Sequence, residues 1–195
     1  MDKLWEELQK EKVCGIDLDG VLSDYPNCWM KFVNETRSKN FNNLFEMKQT
    51  LSYWDYKELK QQYRNSGYKE FIAAKPYAKE FARILKENDY KIIILTARPF
   101  QEYKNLSKIT TKWLEINNIE YDSVISGKDK YVKILLQFPN LRFMVEDHRS
   151  ITNLVASWNY RVYLLNNEYN QGDIVQKVVR VNSLFEVLKA EELLK

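Results

Sequence analysis

The chain has 195 residues, 45% hydrophobic and 29% charged, an ordinary globular composition that excludes a disordered, collagen-like or purely coiled-coil protein and leaves room for one domain with an insertion. Thirty basic against 27 acidic residues leave a net charge of +3, too small to indicate a partner unless it is concentrated somewhere. No apolar run approaches the ~18 residues of a membrane span, the start Met1-Asp2-Lys3-Leu4-Trp5 lacks a secretory h-region, and Cys14 and Cys28 are too few for a disulfide framework or a zinc site, so the expectation is a cytoplasmic protein with reduced thiols and no membrane partner.

In chain order, helical spacing predicts a first helix at 3–10. A short β-branched run at 13–16 then reads as a buried strand. The next such run, 92–95, lies too far away for one crossover helix. The interval shows helical spacing at 26–37, 43–51, 53–63 and 68–75, with Pro26 suited to a first turn and Ser66-Gly67 to a break. From there strands at 92–95, 123–125, 142–145 and 161–165 alternate with helices at 103–117, 130–137 and 150–157. A last helix runs from Ser183 to Leu194, with Ser183 and Glu186 as a capping box. This alternation predicts an α/β fold, a Rossmann-like doubly wound parallel sheet, with residues 1–24 and 78–195 as core and 25–77 as a small helical cap inserted after the first strand.

Acidic residues gather at the predicted strand ends, where open α/β sheets bind ligands. Asp17-Leu18-Asp19-Gly20 puts two carboxylates after the first strand. One can act as nucleophile and metal ligand while the other moves a proton, and Gly20 lets the chain turn away. The pattern lacks the remaining acids of a calcium-binding EF-hand loop. Thr96-Ala97-Arg98 ends the second strand with a hydroxyl and a guanidinium suited to phosphate oxygens. Ser126-Gly127-Lys128-Asp129-Lys130 follows the third with two ammonium groups, and Glu146-Asp147 ends the fourth with oxygen ligands for a hard cation such as Mg²⁺. The lone His148 reads as a surface or capping residue rather than a catalytic base.

These four elements, in this order and each at a strand end, resemble the haloacid dehalogenase (HAD)-like phosphatases over essentially the whole chain. The resemblance implies Asp17 as the phosphate-accepting nucleophile, Asp19 as general acid/base, Thr96 as the phosphate-binding hydroxyl with Ala97 and Arg98 beside it, and Lys130 as the motif lysine. Glu146 and Asp147 would be the metal acids, with Asp17 and the Asp19 backbone carbonyl completing a Mg²⁺ site. An acid at Asp19 marks the family's phosphatases rather than its ATPase or phosphonatase branches. Within the family, the helical insert and Asp17-Leu18-Asp19-Gly20-Val21-Leu22-Ser23-Asp24 are similar to the 5'(3')-deoxyribonucleotidase group. Two features depart from that group: Glu146-Asp147-His148-Arg149 stands where two Asp followed by Arg-Pro are usual, and the interval from Lys130 to Glu146 is longer. Together they leave Lys128 and Lys133 as alternatives to Lys130. Tyr103, Lys104, Thr110, Lys112 and Trp113 are also spaced somewhat like a helix of phage polynucleotide 3'-phosphatases, against the plainer reading of an amphipathic helix with a buried Trp113.

Residues 25–77 hold 12 of the 27 aromatic residues, and nine Lys/Arg against five Asp/Glu. The positive excess of the chain therefore sits on the predicted cap. A basic lid over an acidic floor suits an anionic substrate, and its rings can either stack on a base or fill a mini-core. The expected activity is a Mg²⁺-dependent phosphomonoesterase acting on a small phosphate ester, foremost a deoxyribonucleoside monophosphate. A 3'-phosphatase of nucleic-acid ends and a catalytically inactive phosphate-binding module are the alternatives. The sequence carries no signal for oligomeric state.

Overall fold

The structure, a computed structural model, describes residues 11–194; the helix expected at 3–10 lies outside the described residues. Six strands, β1 (Lys12–Asp17), β2 (Tyr90–Thr96), β3 (Ser123–Ser126), β4 (Leu141–Glu146), β5 (Val162–Leu165) and β6 (Val178–Val181), form one sheet in the order β3-β2-β1-β4-β5-β6. Every pairing is parallel, and β1 sits centrally with Asp17 opposite Leu95 and Ile16 opposite Val145. Parallel strands buried on both faces read as continuous apolar runs, which is why β1, β2 and β4 stand out in the sequence.

Alternate residues feed two cores. Cys14, Ile16, Ile92, Ile94, Phe143 and Val145 face α4 (Ala78–Glu87), α5 (Lys104–Ile116) and α8 (Leu184–Ala190), whereas Val13, Ile93, Leu95 and Met144 face α6 (Lys130–Gln137) and α7 (Arg149–Ser157). Two elements go beyond the sequence reading. Helix α4 buries Ala78, Phe81, Ala82 and Leu85, an i, i+3, i+4, i+7 stripe, and β6 adds an edge strand of four residues.

Between β1 and α4 the chain forms α1 (Asn27–Arg37), α2 (Leu44–Thr50) and α3 (Tyr53–Asn65), packed around a core of Trp29, Phe32, Met47, Leu59, Tyr63 and Ile72. Asn43 and Ser52 cap α2 and α3 by accepting from the backbone N–H of Glu46 and Asp55. The helix expected at 68–75 is instead a single 3₁₀ turn, Tyr68–Phe71, followed by extended chain. The reason is pairing: Asp24 N–H donates to Ala73 O at 2.9 Å and Lys75 N–H to Leu22 O at 2.8 Å, closing the insertion at its base, and Pro76 disfavours helix just before it. The last helix also stops earlier than expected, at Ala190. Ser183 accepts from Glu186 N–H, but the Glu186 carboxylate accepts from Asn182 N–H rather than from Ser183, so the expected capping box is only half formed.

Candidate active site

Asp17 ends β1 with its side chain buried, and Glu146 ends the adjacent β4. Because β1 and β4 are neighbours in register, carboxylate oxygens of Asp17, Glu146 and Asp147 all lie within 4.8 Å of one another. Gly20 makes this approach possible. Its φ is +105°, and a Cβ there would fall onto the Asp147 carboxylate. Gly15 acts from below: a Cβ on it would meet Ile134 Cδ1 at 2.7 Å and Leu95 Cδ1 at 3.0 Å, so a bare backbone in mid-strand lets α6 settle on β1 and brings Lys130, at its start, over Asp17.

The Lys130 ammonium is buried, hydrogen-bonds Asp17 Oδ1 and lies 3.4 Å from Glu146 Oε2. Of the three candidate lysines it alone reaches the carboxylates: Lys133 pairs with Asp129 at 2.8 Å and donates to Ser126 O, and Lys128 lines the cavity mouth. Glu146 is anchored further by the Tyr131 hydroxyl at 2.6 Å and by the backbone N–H groups of Asp147 and His148. The Tyr169 hydroxyl donates to Asp147 Oδ2, and Asn170 holds the Asp147 carbonyl at 2.8 Å. Three buried carboxylates against one ammonium leave excess negative charge. Burial and the Glu146 charge push Asp17 up to about 8 against the pull of Lys130, and burial with Glu146 and Asp17 pushes Asp147 well above the ordinary carboxylate range. An all-oxygen site that is short of positive charge fits a hard divalent cation such as Mg²⁺.

Asp19 faces the other way. Its carboxylate takes a forked pair from Arg98, Nε at 2.9 Å and Nη2 at 2.6 Å, and Lys69 reaches both oxygens at 3.3 Å. Burial resists its ionisation, yet Arg98 and Lys69 beside it hold the carboxyl well below the usual range. Arg98, expected beside a bound phosphate, here pairs with Asp19 and donates to Thr110 Oγ1 at 2.9 Å. The buried Thr96 hydroxyl accepts from Arg98 N–H at 3.2 Å, and the exposed Ala97 lines the cavity. His148 is exposed, its Nδ1 3.0 Å from Ser150 Oγ.

Asp17, Asp19, Arg98, Lys130, Glu146 and Asp147 border a cavity of about 690 Å³ between the strand ends and the inserted helices. A larger cleft, about 860 Å³, opens at the opposite end of the strands. Among the described residues Glu191 is the one acid in its lining, and it is bound to Arg161. Several residues of the site escaped the sequence reading. Tyr131 adjoins Lys130, and Tyr169 and Asn170 follow β5 at the same sheet edge; attention to strand ends and their neighbours finds all three. Lys69, buried in the 3₁₀ turn, carries no local signal.

A parallel sheet in this strand order, with Asp17 ending its central strand and helices inserted soon after it, gives the chain a HAD-like fold. No family model matches the chain. It is 28% identical over 187 residues to the Bacillus subtilis (strain 168) protein named "Putative nucleotidase YqfW", covering 90% of this chain and 91% of that one. Among solved structures, the Bacillus subtilis "putative HAD-hydrolase YfnB", bound to magnesium, superposes with a TM-score of 0.66 at 11% identity, over 93% of this chain and 99% of that one. The D,D-heptose 1,7-bisphosphate phosphatase from B. bronchiseptica, complexed with magnesium and phosphate, superposes at 0.60 with 14% identity, over 93% and 98%.

Proposed function

We propose that this chain is a Mg²⁺-dependent phosphomonoesterase that hydrolyses nucleoside monophosphates, deoxyribonucleotides foremost, through an aspartyl-phosphate on Asp17. The observation that carries the reading is the buried cluster of Asp17, Glu146 and Asp147, bridged by Lys130, with Asp19 separately held a loop away. The likeness to a protein named as a nucleotidase adds the substrate class.

Asp17, Asp147, the Asp19 carbonyl and Glu146 would hold Mg²⁺, which when bound supplies charge for the phosphoryl oxygens and draws down the raised Asp17 pKa. An Asp17 oxygen attacks phosphorus in line, forming the acyl phosphate as the bond to the leaving oxygen breaks. Asp19 gives that oxygen a proton. In the second half Asp19 takes a proton from water, whose oxygen attacks phosphorus and frees Asp17 and inorganic phosphate. Lys130 and the Thr96 hydroxyl balance charge on the phosphoryl group. Asp19 is ionised in its pair with Arg98, so it carries a proton only if that pair loosens when a phosphoryl group arrives and takes up the Arg98 and Lys69 charge.

The test is a Mg²⁺-supplemented screen of nucleoside 5'- and 3'-monophosphates, sugar phosphates and 3'-phosphorylated oligonucleotides, run on wild type and Asp17→Asn. Nucleotide turnover that EDTA abolishes, and that Asp17→Asn lowers by about 10³-fold or more, is expected. Turnover of oligonucleotide ends alone would assign a 3'-phosphatase. No phosphate release from any substrate would leave a phosphate-binding module.

A further inference from the structure

The inserted helices bring more positive charge to the cavity than one phosphate calls for. Lys60 of α3, Arg64 one turn later and Lys48 of α2 all line it. Like charges four residues apart repel on a helix. Among the described residues none of the three makes an ion pair with a carboxylate. Lys69 and Lys130, by contrast, are matched by Asp19 and Asp17.

Lys60 is the telling residue. Its ammonium sits 3.9 Å from the centre of the Trp29 ring and 5.0 Å from that of Tyr25, and it donates to the Tyr25 hydroxyl at 3.2 Å. Rings attract a cation but give it no counter-charge, and an ammonium has three N–H donors, of which this bond uses one. Burial and the Lys69 charge lower Lys60 to about 7 against the weaker pull of Asp19, as expected of a cation that no carboxylate pairs directly. The group is also near the chemistry. Lys60 and Lys69 stand 5.9 Å and 4.9 Å from the centre of the same Tyr63 ring, and Lys69 touches Asp19. A freely solvated lysine face shows none of this caging.

Resting on the phosphatase reading above, we infer that Lys60, flanked by Arg64 and Lys48, forms a second anion subsite, so that a phosphate monoester whose leaving group carries another phosphate is a better substrate than the corresponding monophosphate. One phosphate meets Asp17 while the other supplies the anion that Lys60 lacks. The shared chemistry is a bisphosphorylated small molecule, either a nucleoside 3',5'-bisphosphate or a sugar bisphosphate.

Two substrate pairs test this on the Mg²⁺-loaded full chain: deoxyadenosine 5'-monophosphate against its 3',5'-bisphosphate, and fructose 6-phosphate against fructose 1,6-bisphosphate. In one pair kcat/KM is expected to favour the bisphosphate by about tenfold or more, and the pair that does so identifies the source. Lys60→Met should bring that ratio towards one, and Lys60→Arg should restore it. If Lys60→Met fails to fold by circular dichroism, Arg64→Gln carries the same comparison. A ratio near one in both pairs, or a ratio indifferent to these substitutions, overturns the subsite. If no compound is turned over, the phosphatase reading fails by itself, and equilibrium binding of the same four compounds decides the subsite. Binding of a bisphosphate about tenfold tighter than its partner, lost in Lys60→Met, sustains it; equal or absent binding overturns it.

Discussion

Gly20 is the residue on which the acidic cluster depends most simply. Its positive φ admits a side chain only under strain, and a Cβ would displace Asp147 from the cluster and press on the Tyr169 hydroxyl at 3.0 Å. Gly20→Ala is therefore expected to cost about 1–3 kcal/mol in urea unfolding, and to shift the Mg²⁺ midpoint of any activity upward; an unchanged metal titration would show that Asp147 is not a ligand. Lys60 makes a pH-dependent contribution. Its folded value, about 7, lies below its ordinary 10.5, so protons favour the unfolded chain. The penalty is complete below the folded value and fades as pH rises towards the unfolded one. The melting temperature of Lys60→Met minus that of wild type should accordingly fall between about pH 7 and about pH 10. A flat difference would mean that Lys60 keeps its proton in the folded protein.

At the scale of elements, α5 joins the inserted helices to the sheet. Trp113 is fully buried and donates its indole N–H to the Ile72 carbonyl at 2.7 Å, three residues beyond Lys69, and Lys112 pairs with Glu70 in the same turn. The plainer reading of this helix therefore suffices: its Trp and Lys are spent on the turn that delivers Lys69 to Asp19. Trp113→Phe keeps an aromatic side chain but orphans a buried carbonyl, which should cost about 1–3 kcal/mol in urea unfolding. Turnover should fall with it, because Lys69 loses its fixed position. A loss of stability with unaltered kcat would separate Lys69 from the chemistry. The same turn explains why 68–75 is not a helix. Helical spacing is present there, but pairing with residues 22–24 uses the backbone groups that a helix would need.

For the whole molecule, the division is between an acidic floor on the sheet and a basic roof on the insertion. Replacing residues 25–77 by a short linker, together with Trp113→Phe to avoid an unpaired buried N–H, should leave a folded sheet that binds Mg²⁺. Its preference for nucleotides over p-nitrophenyl phosphate should fall, since the roof supplies Lys48, Lys60, Arg64 and Lys69. Circular dichroism and a thermal melt must accompany the assay. A folded variant with undiminished preference would place recognition in the sheet loops.

The parallel sheet, and the placing of the acids at 17, 19, 146 and 147 at its strand ends, were readable from local pattern, because a buried parallel strand is an apolar run and polar residues begin where that run ends. β6 and α4 were harder: four residues make too short a pattern, and the amphipathic stripe of α4 adjoins the insertion without a sharp border. Other facts belong to the tertiary structure alone. That Lys130 rather than Lys128 or Lys133 reaches Asp17 follows from how closely α6 packs over Gly15. That Arg98 and Lys69 hold Asp19, and that Lys60 lies caged by rings with no ion pair among the described residues, depends on residues far apart in the chain meeting across the cavity. Periodicity reports which face of an element is buried, whereas the pairing of charges is set by the packing of one element against another, and no window of sequence contains both.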